Sequence, residues 1–522
     1  MVLCAGIALP AGAQDHVSSY IGSPWDGYMR ALSVREDIEV PYISMRSLAT
    51  GSSTLPEGLD HPWNEHLPAA EPEVTLGPAE LEVLPATATG SFNSSYPSGG
   101  NDEAAWQGKG VNGFSTAGVR VSAPYVEATL APQVWAAQNR SFPVVPPTSQ
   151  ADEEYGSFTV GVDDYQRPGG SAAAAATWGQ SEIRGRWRTL TAGFGTQSVW
   201  LGPAEYNPIL LGTNAAGFPR MDVTLEKTET PIGAVEAAFI LGRLEESAYF
   251  NDDSADDYRL LSVGSLSYAP SFLPGFSIGL HRMVFSAWQG ADALDALQIF
   301  DFELSPALGD DERDQRLSFT LDWRFPQVGF NIYAEWARND YSPDWRFIVR
   351  APEHSQAFTI GGRQTFDGPA GGFFLLSGEI TQLILSRDYY IDIGRGRSTF
   401  YSHGALSQGH THLGQGLGAP VGPGGAGQRL GLDYFGTFGS AGLFVERTAR
   451  NQNYLYGAPD AGPGDIKRAN VEMRYGARGT LLGGRRLTLA SELSIARNIN
   501  RTYEAGNDVV NFYGMLEAVV RP

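Results

Sequence analysis

Apolar and polar residues alternate along this chain in segments of roughly ten residues from Ala86 onward, joined by links that are in turn very short and very long. A period of two is the repeat of a β-strand whose faces meet different surroundings. Between residues 468 and 482, Ala469, Val471, Met473, Tyr475 and Ala477 share one face, and Asn470, Glu472, Arg474 and Arg478 share the other. Within 328–338, Phe330, Ile332, Ala334 and Trp336 oppose Asn331, Tyr333 and Glu335. A soluble sandwich would bury its apolar faces in a core of its own. Here the long polar faces ask for a wet lumen and the apolar faces for lipid, the pattern of an outer-membrane β-barrel. Because a bilayer core holds no water to satisfy open backbone groups, only helices or closed sheets cross it.

Strands are predicted near 86–95, 112–121, 125–138, 179–187, 190–198, 221–227, 233–244, 258–269, 276–287, 314–325, 328–338, 355–366, 372–386, 428–436, 439–449, 468–482, 485–497 and 509–521. That makes about eighteen, an even number of the kind bacterial barrels favour. Every even-to-odd link is short, among them Arg188-Thr189, Pro326-Gln327, Thr437-Phe438 and Gly483-Gly484. The links 139–178, 199–220, 288–313, 387–427 and 450–467 are long. Short turns belong to the periplasmic end of such barrels, so both chain ends fall there and the long links face outward or into the lumen.

Upstream of Ala86 the pattern changes. Residues 1–13 read as a signal peptide cleaved after Ala13, without its basic n-region, and they contain Cys4, the one cysteine. Residues 14–85 predict a small helical periplasmic subdomain beneath a barrel of residues 86–522. Ser23 is placed to cap a helix with Pro24 at its first position and Trp25, Tyr28, Met29 and Leu32 on one face. A second short helix is predicted from Leu55, with Thr54 and Glu57 in capping-box positions and Leu59 and Trp63 inward.

Composition narrows the class further. A mean hydropathy of -0.20 and the lack of a long apolar run exclude helical membrane spans, but not barrel strands, whose lumenal residues dilute the average. The 63 glycines and 11% aromatic content suit many tight turns and aromatic girdles. A net charge of -21 argues against nucleic acid as a partner. The acidic runs Asn251–Asp257 and Asp310–Asp314 either face water or hold divalent cations, and neither has EF-hand spacing. The expected surroundings are outer-membrane lipids and the expected state a monomer, with no cofactor and no resident metal.

Two long links carry unusual residues. The first holds Trp200-Leu201-Gly202-Pro203 and then Ile209 to Pro219, where Gly and Pro set fixed turns around an apolar patch. Trp200, Asn214 and Phe218 offer the ring faces and amide that a sugar needs, or the loop braces and plugs the lumen. The second holds Tyr401-Ser402-His403 and residues 407–423, with His410 and His412 two apart. Such a pair ligates a metal only if further ligands arrive from elsewhere; otherwise these are structural histidines. A hydrolase built on His403, His410 or His412 lacks both a Gly-x-Ser-x-Gly elbow and an acidic partner.

Both stretches resemble the capsule assembly Wzi family of outer-membrane proteins. The matching features are Trp-x-Gly-Pro at 200–203, Leu-x-x-Asn-Ala-x-x-Phe-Pro at 211–219, Tyr-x-Glu-Trp at 333–336 and Gly-x-Thr-His…Gly-Ala-Pro-Val-Gly-Pro at 409–423. The chain departs from that family in having one Trp at 200, where two are frequent, and Thr213-Asn214, where paired Asn are frequent. The resemblance implies an eighteen-stranded barrel over a periplasmic helical bundle, acting as a non-catalytic lectin that holds exported capsular or other surface polysaccharide. The other reading open to the sequence is a porin-like channel, suggested by polar lumen residues such as Asn470, Glu472 and Arg474.

Overall fold

A computed structural model describes residues 19–36, 38, 40–49, 55–56, 58–67, 74–148, 150, 154–288, 290, 299, 313–339, 345–385, 400–457 and 466–521. The segment read as a signal peptide, with Cys4, lies outside them. Eighteen antiparallel strands close into one barrel. They are β1 (Ala79–Asn93), β2 (Gly110–Ala123), β3 (Val126–Leu130 and Gln133–Ala137), β4 (Ala173–Thr177 and Glu182–Trp187), β5 (Leu190–Gly195) and β6 (Arg220–Thr230). There follow β7 (Gly233–Glu245), β8 (Tyr258–Pro270), β9 (Phe276–Ala287), β10 (Arg313–Phe325), β11 (Phe330–Asn339) and β12 (Gln356–Asp367). The last are β13 (Phe373–Gln382), β14 (Ala426–Gly436), β15 (Gly439–Ala449), β16 (Val471–Gly483), β17 (Leu487–Ile499) and β18 (Val509–Val520). The ring closes where β18 pairs with β1, from Tyr513 opposite Asn93 to Val520 opposite Ala86. Closure leaves no strand edge for a bilayer to desolvate.

The outer wall carries Val223, Leu266, Ile360, Leu432, Leu443, Leu493 and Phe512, all exposed, while inward-pointing neighbours such as Asp222, Thr224, Ser265, Ser267, Thr359, Asp433, Ser494 and Asn511 are polar and buried. This is the belt that lipid covers. At the short-turn end, a Cβ on Gly439 (φ 130) would come within 2.0 Å of the Thr480 carbonyl, so only glycine lets β15 start there.

Three expectations are corrected. The first strand begins at Ala79 rather than 86, because Pro85, which lacks an N–H, is absorbed by a register shift between Leu84 and Thr87 instead of ending the strand. β4 begins at Ala173 rather than 179; its first segment, Ala173–Thr177, is alanine-rich and shows no alternation to read. The polar inner faces do not all meet water: Asn331, Tyr333 and Glu335 of β11 are no more than 1% exposed, because protein fills the lumen.

Part of that filling comes from the N-terminal segment. Helix α1 (Pro24–Arg35) starts as its residues dictate, with Ser23 Oγ accepting from the Asp26 amide and Pro24 at the first position. Trp25, Tyr28, Met29 and Leu32 bury one face against Trp63 and against Phe373, Leu375, Phe435 and Leu482 of the wall. The second α-helix predicted from Leu55 is replaced by a single 3₁₀ turn, Asn64–His66, since Pro56 and Pro62 leave too few amide donors for a helical ladder. Thr54 and Glu57 lie outside the described residues. The N-terminal segment packs against the wall at the short-turn end of the barrel. It enters the mouth, where Met45–Arg46 pair with Trp200–Leu201.

Trp63 is the keystone of this seal. It is fully buried, stacks on Tyr28 with ring centroids 4.0 Å apart, and donates its indole N–H to the Gly439 carbonyl at 3.2 Å. Trp63→Ala is expected to weaken docking of the segment by about 3–5 kcal/mol. Trypsin should then cut at Arg35 or Arg46 in the variant while the barrel stays intact; equal resistance of both proteins would count against this seal.

Candidate functional site

The two unusual links fold into the lumen and pack on each other. Ile209, Leu210, Leu211, Ala215 and Phe218 of one join Leu406, Leu417, Ala419 and Val421 of the other, against Ile240, Val263, Met283 and Phe285 of β7 to β9. Apolar residues on the inner face of those strands thus meet an apolar plug rather than water.

Carboxylates from the wall fix the plug's backbone. Glu379 of β13 accepts from the amides of Glu205 (2.7 Å), Tyr206 (3.2 Å) and Asn207 (2.8 Å) and from the Tyr333 hydroxyl (2.8 Å). Glu335, from the Tyr-x-Glu-Trp stretch, accepts from the Ile209 amide (3.0 Å) and Ser318 Oγ (2.8 Å). Glu236 of β7 does the same for Ile43 (2.7 Å), Ser44 (3.0 Å) and Met45 (2.9 Å). Where water is excluded, a carboxylate and several amides left apart would each be costly, so they bind one another. On the opposite side of the plug, Arg259 donates to the carbonyls of Gly409 and Thr411.

Each residue singled out from the sequence has a defined place in this assembly. The Trp200 indole donates to the Ala204 carbonyl at 3.1 Å beneath the Arg46 guanidinium, 4.9 Å away. Asn214 Nδ2 donates to the Gly416 carbonyl at 2.9 Å, joining the two loops, and Phe218 packs edge-on to His412. His410 stacks on Tyr401 with centroids 4.6 Å apart, and its Nε2–H donates to the Leu210 carbonyl at 2.7 Å. His412 Nδ1 accepts from the Glu245 amide at 3.1 Å. Burial, with Arg316 adding to it, holds His410 well below the usual imidazole range; burial and then Arg259 push His412 down to about 3. Both rings are therefore neutral at ordinary pH. His403, His410 and His412 all spend a ring nitrogen on backbone groups. Among the described residues no cluster of three or more His, Cys, Asp or Glu is arranged to hold a metal. Asn251–Asp257 forms part of an external link, and 310–312 lie outside the described residues.

The plug leaves two cavities along the side of the barrel formed by β1 and β14 to β18. The inner one, about 470 Å³, is walled by charged pairs such as Arg429–Glu446 (2.6 Å) and by Arg30, Arg46 and Arg478. The outer one, about 300 Å³, opens among the external links and is lined by Tyr96, Trp106, Phe142, Tyr165, Arg450 and Arg501, with Asn214, Gln415, Asn470 and Asn498 between them. Gly100 lies against Pro420 where the two cavities adjoin. Trp106 Nε1 and the side-chain oxygens of Asn470 and Asn498 are buried at this place with no partner among the described residues. Burial pushes the carboxyls of Asp102 and Asp164 up to about 7, for Asp164 with help from Asp163.

The sequence reading did not find this outer cavity. Tyr96 and Trp106 come from one external link and Phe142 and Tyr165 from the next, and the only local signal was their presence in segments otherwise rich in Gly, Pro and polar residues.

No protein-family model matches the chain, and no curated protein sequence matches it. Solved structures do. Wzi of Escherichia coli, described as an outer membrane protein involved in group 1 capsule assembly and a carbohydrate-binding β-barrel, superimposes with a TM-score of 0.56 at 12% identity, over 83% of each chain. Acinetobacter baumannii OccAB1 matches at 0.43 and 10% identity, over 85% of this chain and 96% of the other. A BenF-like porin from Pseudomonas fluorescens Pf-5 matches at 0.42 and 9%, over 85% and 99%. At 12% identity the likeness to the Escherichia coli barrel speaks for the fold alone, and with the closed ring and lipid-facing belt it establishes this chain as an eighteen-stranded β-barrel of the outer membrane.

Proposed function

We propose that this barrel binds exported capsular or other surface polysaccharide and helps hold and assemble it at the cell surface, without covalent chemistry. The observation that carries the reading is the outer cavity: the aromatic rings of Trp106 and Tyr165 beside Gln415 and the unpartnered side-chain oxygens of Asn470 and Asn498, above a plugged lumen. A sugar ring has C–H faces that pack on aromatic rings and hydroxyls that both donate to and accept from amides. At about 300 Å³ the cavity is at the small end of ligand sites, fit for a short piece of polymer. Repeated units along a polymer multiply weak contacts into firm retention. The loop motifs at 200–219 and 409–423, which resemble the Wzi family, and the carbohydrate-binding description of the Escherichia coli barrel point in the same direction.

Cells lacking the protein are expected to shed polysaccharide that parental cells retain, measured as cell-bound against released polymer. Firm attachment in the deletion strain would overturn the reading. A second reading, a solute channel, draws on the charged inner cavity that adjoins the outer one at Gly100 and Pro420. Steady open conductance of the unaltered protein in planar bilayers, with uptake rather than retention changed in the deletion strain, would favour that alternative.

A further inference from the structure

We infer that the outer cavity holds a preformed anion subsite, built by Arg501 and Arg450, for the carboxylate of an acidic sugar such as a uronate. The inference rests on the carbohydrate reading above and narrows its ligand to an acidic glycan. Other lumenal guanidinium groups are matched either with acids, as Arg184 with Glu182 (2.6 Å) and Asp222 (2.8 Å), Arg429 with Glu446 (2.6 Å) and Arg478 with Asp433 (2.6 Å), or with backbone carbonyls, as Arg259. Arg501 breaks that rule. Its guanidinium lies 4.2 Å from the Tyr96 ring centroid and 5.7 Å from that of Phe142, and among the described residues it has neither an ion pair nor a side-chain hydrogen bond. Arg450 makes one long bond, 3.3 Å to the Pro420 carbonyl, and likewise has no ion pair among the described residues. Both line the outer cavity.

The acids nearby do not supply the missing counter-charge. Glu472 pairs with Arg474 at 2.8 Å and acts on Arg450 and Arg501 only through longer-range attraction. Burial disfavours the ionised forms of Asp102 and Asp164, and Asp164 acts on Arg450 only at longer range. Burial pulls Arg501 down to about 10, outweighing the longer-range attraction of Tyr96 and Glu472. In a chain of net charge -21, two unmatched guanidiniums in one cavity are a local feature with a specific use.

The backbone holds them in place. Asn500, Thr502 and Tyr503 around Arg501 have φ of 52, 59 and 60, a left-handed turn that non-glycine residues adopt only when tied down. Asn500 Nδ2 donates to the carbonyls of Lys467 (2.7 Å) and Ala469 (3.1 Å), and Asn507 Nδ2 to that of Arg501 (3.0 Å). The Tyr503 hydroxyl is bonded to the carbonyls of Arg450 (3.1 Å) and Asn451 (3.2 Å), so the two arginine-bearing loops are locked together. The planar fork of a guanidinium matches the two oxygens of a carboxylate, and the aromatic bracket restricts it to one orientation. Trp106 and Tyr165 line the same cavity.

The test measures binding of the full-length barrel in nanodiscs to glucuronate, galacturonate and mannuronate oligosaccharides, each paired with its carboxyl-reduced neutral counterpart. At least one acidic oligosaccharide is expected to bind roughly tenfold or more tighter than its reduced partner. Arg501→Gln and Arg450→Gln should each lose most of that preference, while Arg501→Lys, a point charge without the fork, should keep part of it. A heat-dependent mobility shift on gels shows that each variant barrel has folded, and free acetate at equal carboxylate concentration should compete poorly if the sugar ring contributes. Equal binding of acidic and reduced forms, a preference that survives in both Gln variants, or binding of no acidic oligosaccharide overturns the subsite. The carbohydrate reading fails separately, when deletion leaves polysaccharide retention unchanged.

Discussion

The Glu379→Ala barrel is expected to show long-lived openings in planar bilayers that the unaltered barrel lacks. Glu379 is the acceptor for three consecutive amides, Glu205 to Asn207, for the Asn207 side chain and for the Tyr333 hydroxyl. Removing it orphans all of these donors in a place that is 2% exposed at Glu379 itself. Each buried donor left without a partner costs about 1–3 kcal/mol, and breaking a buried charged network costs about 3–5 kcal/mol in all. The strands are not touched, since their ladders with β12 and β14 do not use the side chain. The loss therefore falls on the loop, which swings off the wall and unseats the plug. Glu379→Gln keeps an acceptor oxygen and should open less often. If Glu379→Ala is as quiet as the parent, the carboxylate clamp does not hold the plug.

Acid should loosen the same plug. His410 and His412 are neutral when packed, with folded pKa values below the usual imidazole value of 6.5. A depressed imidazole pKa means that the released loop binds protons which the packed loop refuses. Stability is thus complete above about 6.5 and falls as pH drops toward the folded value, about 3 for His412. Each ring should lose roughly 1.4 kcal/mol per pH unit in that window. Opening events, rare at pH 7, should rise in frequency between pH 6 and pH 4, and His410→Gln should blunt the rise. A flat profile across that range would show that these histidines do not report on plug release. In the parent protein, Arg316 adds to the effect, since its charge also opposes protonation of His410.

Much of the barrel was legible in the chain because its signals are local. Alternation in 328–338 and 468–482 placed Tyr333, Glu335, Glu472 and Arg474 on the lumenal face, where they are found. Where the local signal was misleading, the reason is specific. Pro85 reads as an end of strand but sits in a bulge, and Ala173–Thr177 has no polar partner positions to alternate with. Leu55 to Trp63 looked helical from its caps, yet Pro56 and Pro62 left it a single turn, and Trp63 is held by Tyr28 and the Gly439 carbonyl rather than by a helix of its own.

By itself the sequence determined the number and order of strands, the face each residue takes and the end at which the short turns lie. Period-two alternation and turn chemistry answer to lipid, water and neighbouring residues, none of which requires knowledge of distant contacts. Only the tertiary structure decided what fills the lumen. Tyr401 meets Ile209, Glu379 meets Glu205 and Glu236 meets Ser44 across separations of 192, 174 and 192 residues, and these meetings exist only once the ring has closed. The outer cavity is of the same kind: Tyr96, Phe142, Arg450 and Arg501 come from four links whose spacing along the chain carries no trace of their juxtaposition. Strand faces are written in the local pattern, whereas a binding surface assembled by closure is set by which strand ends the barrel brings side by side.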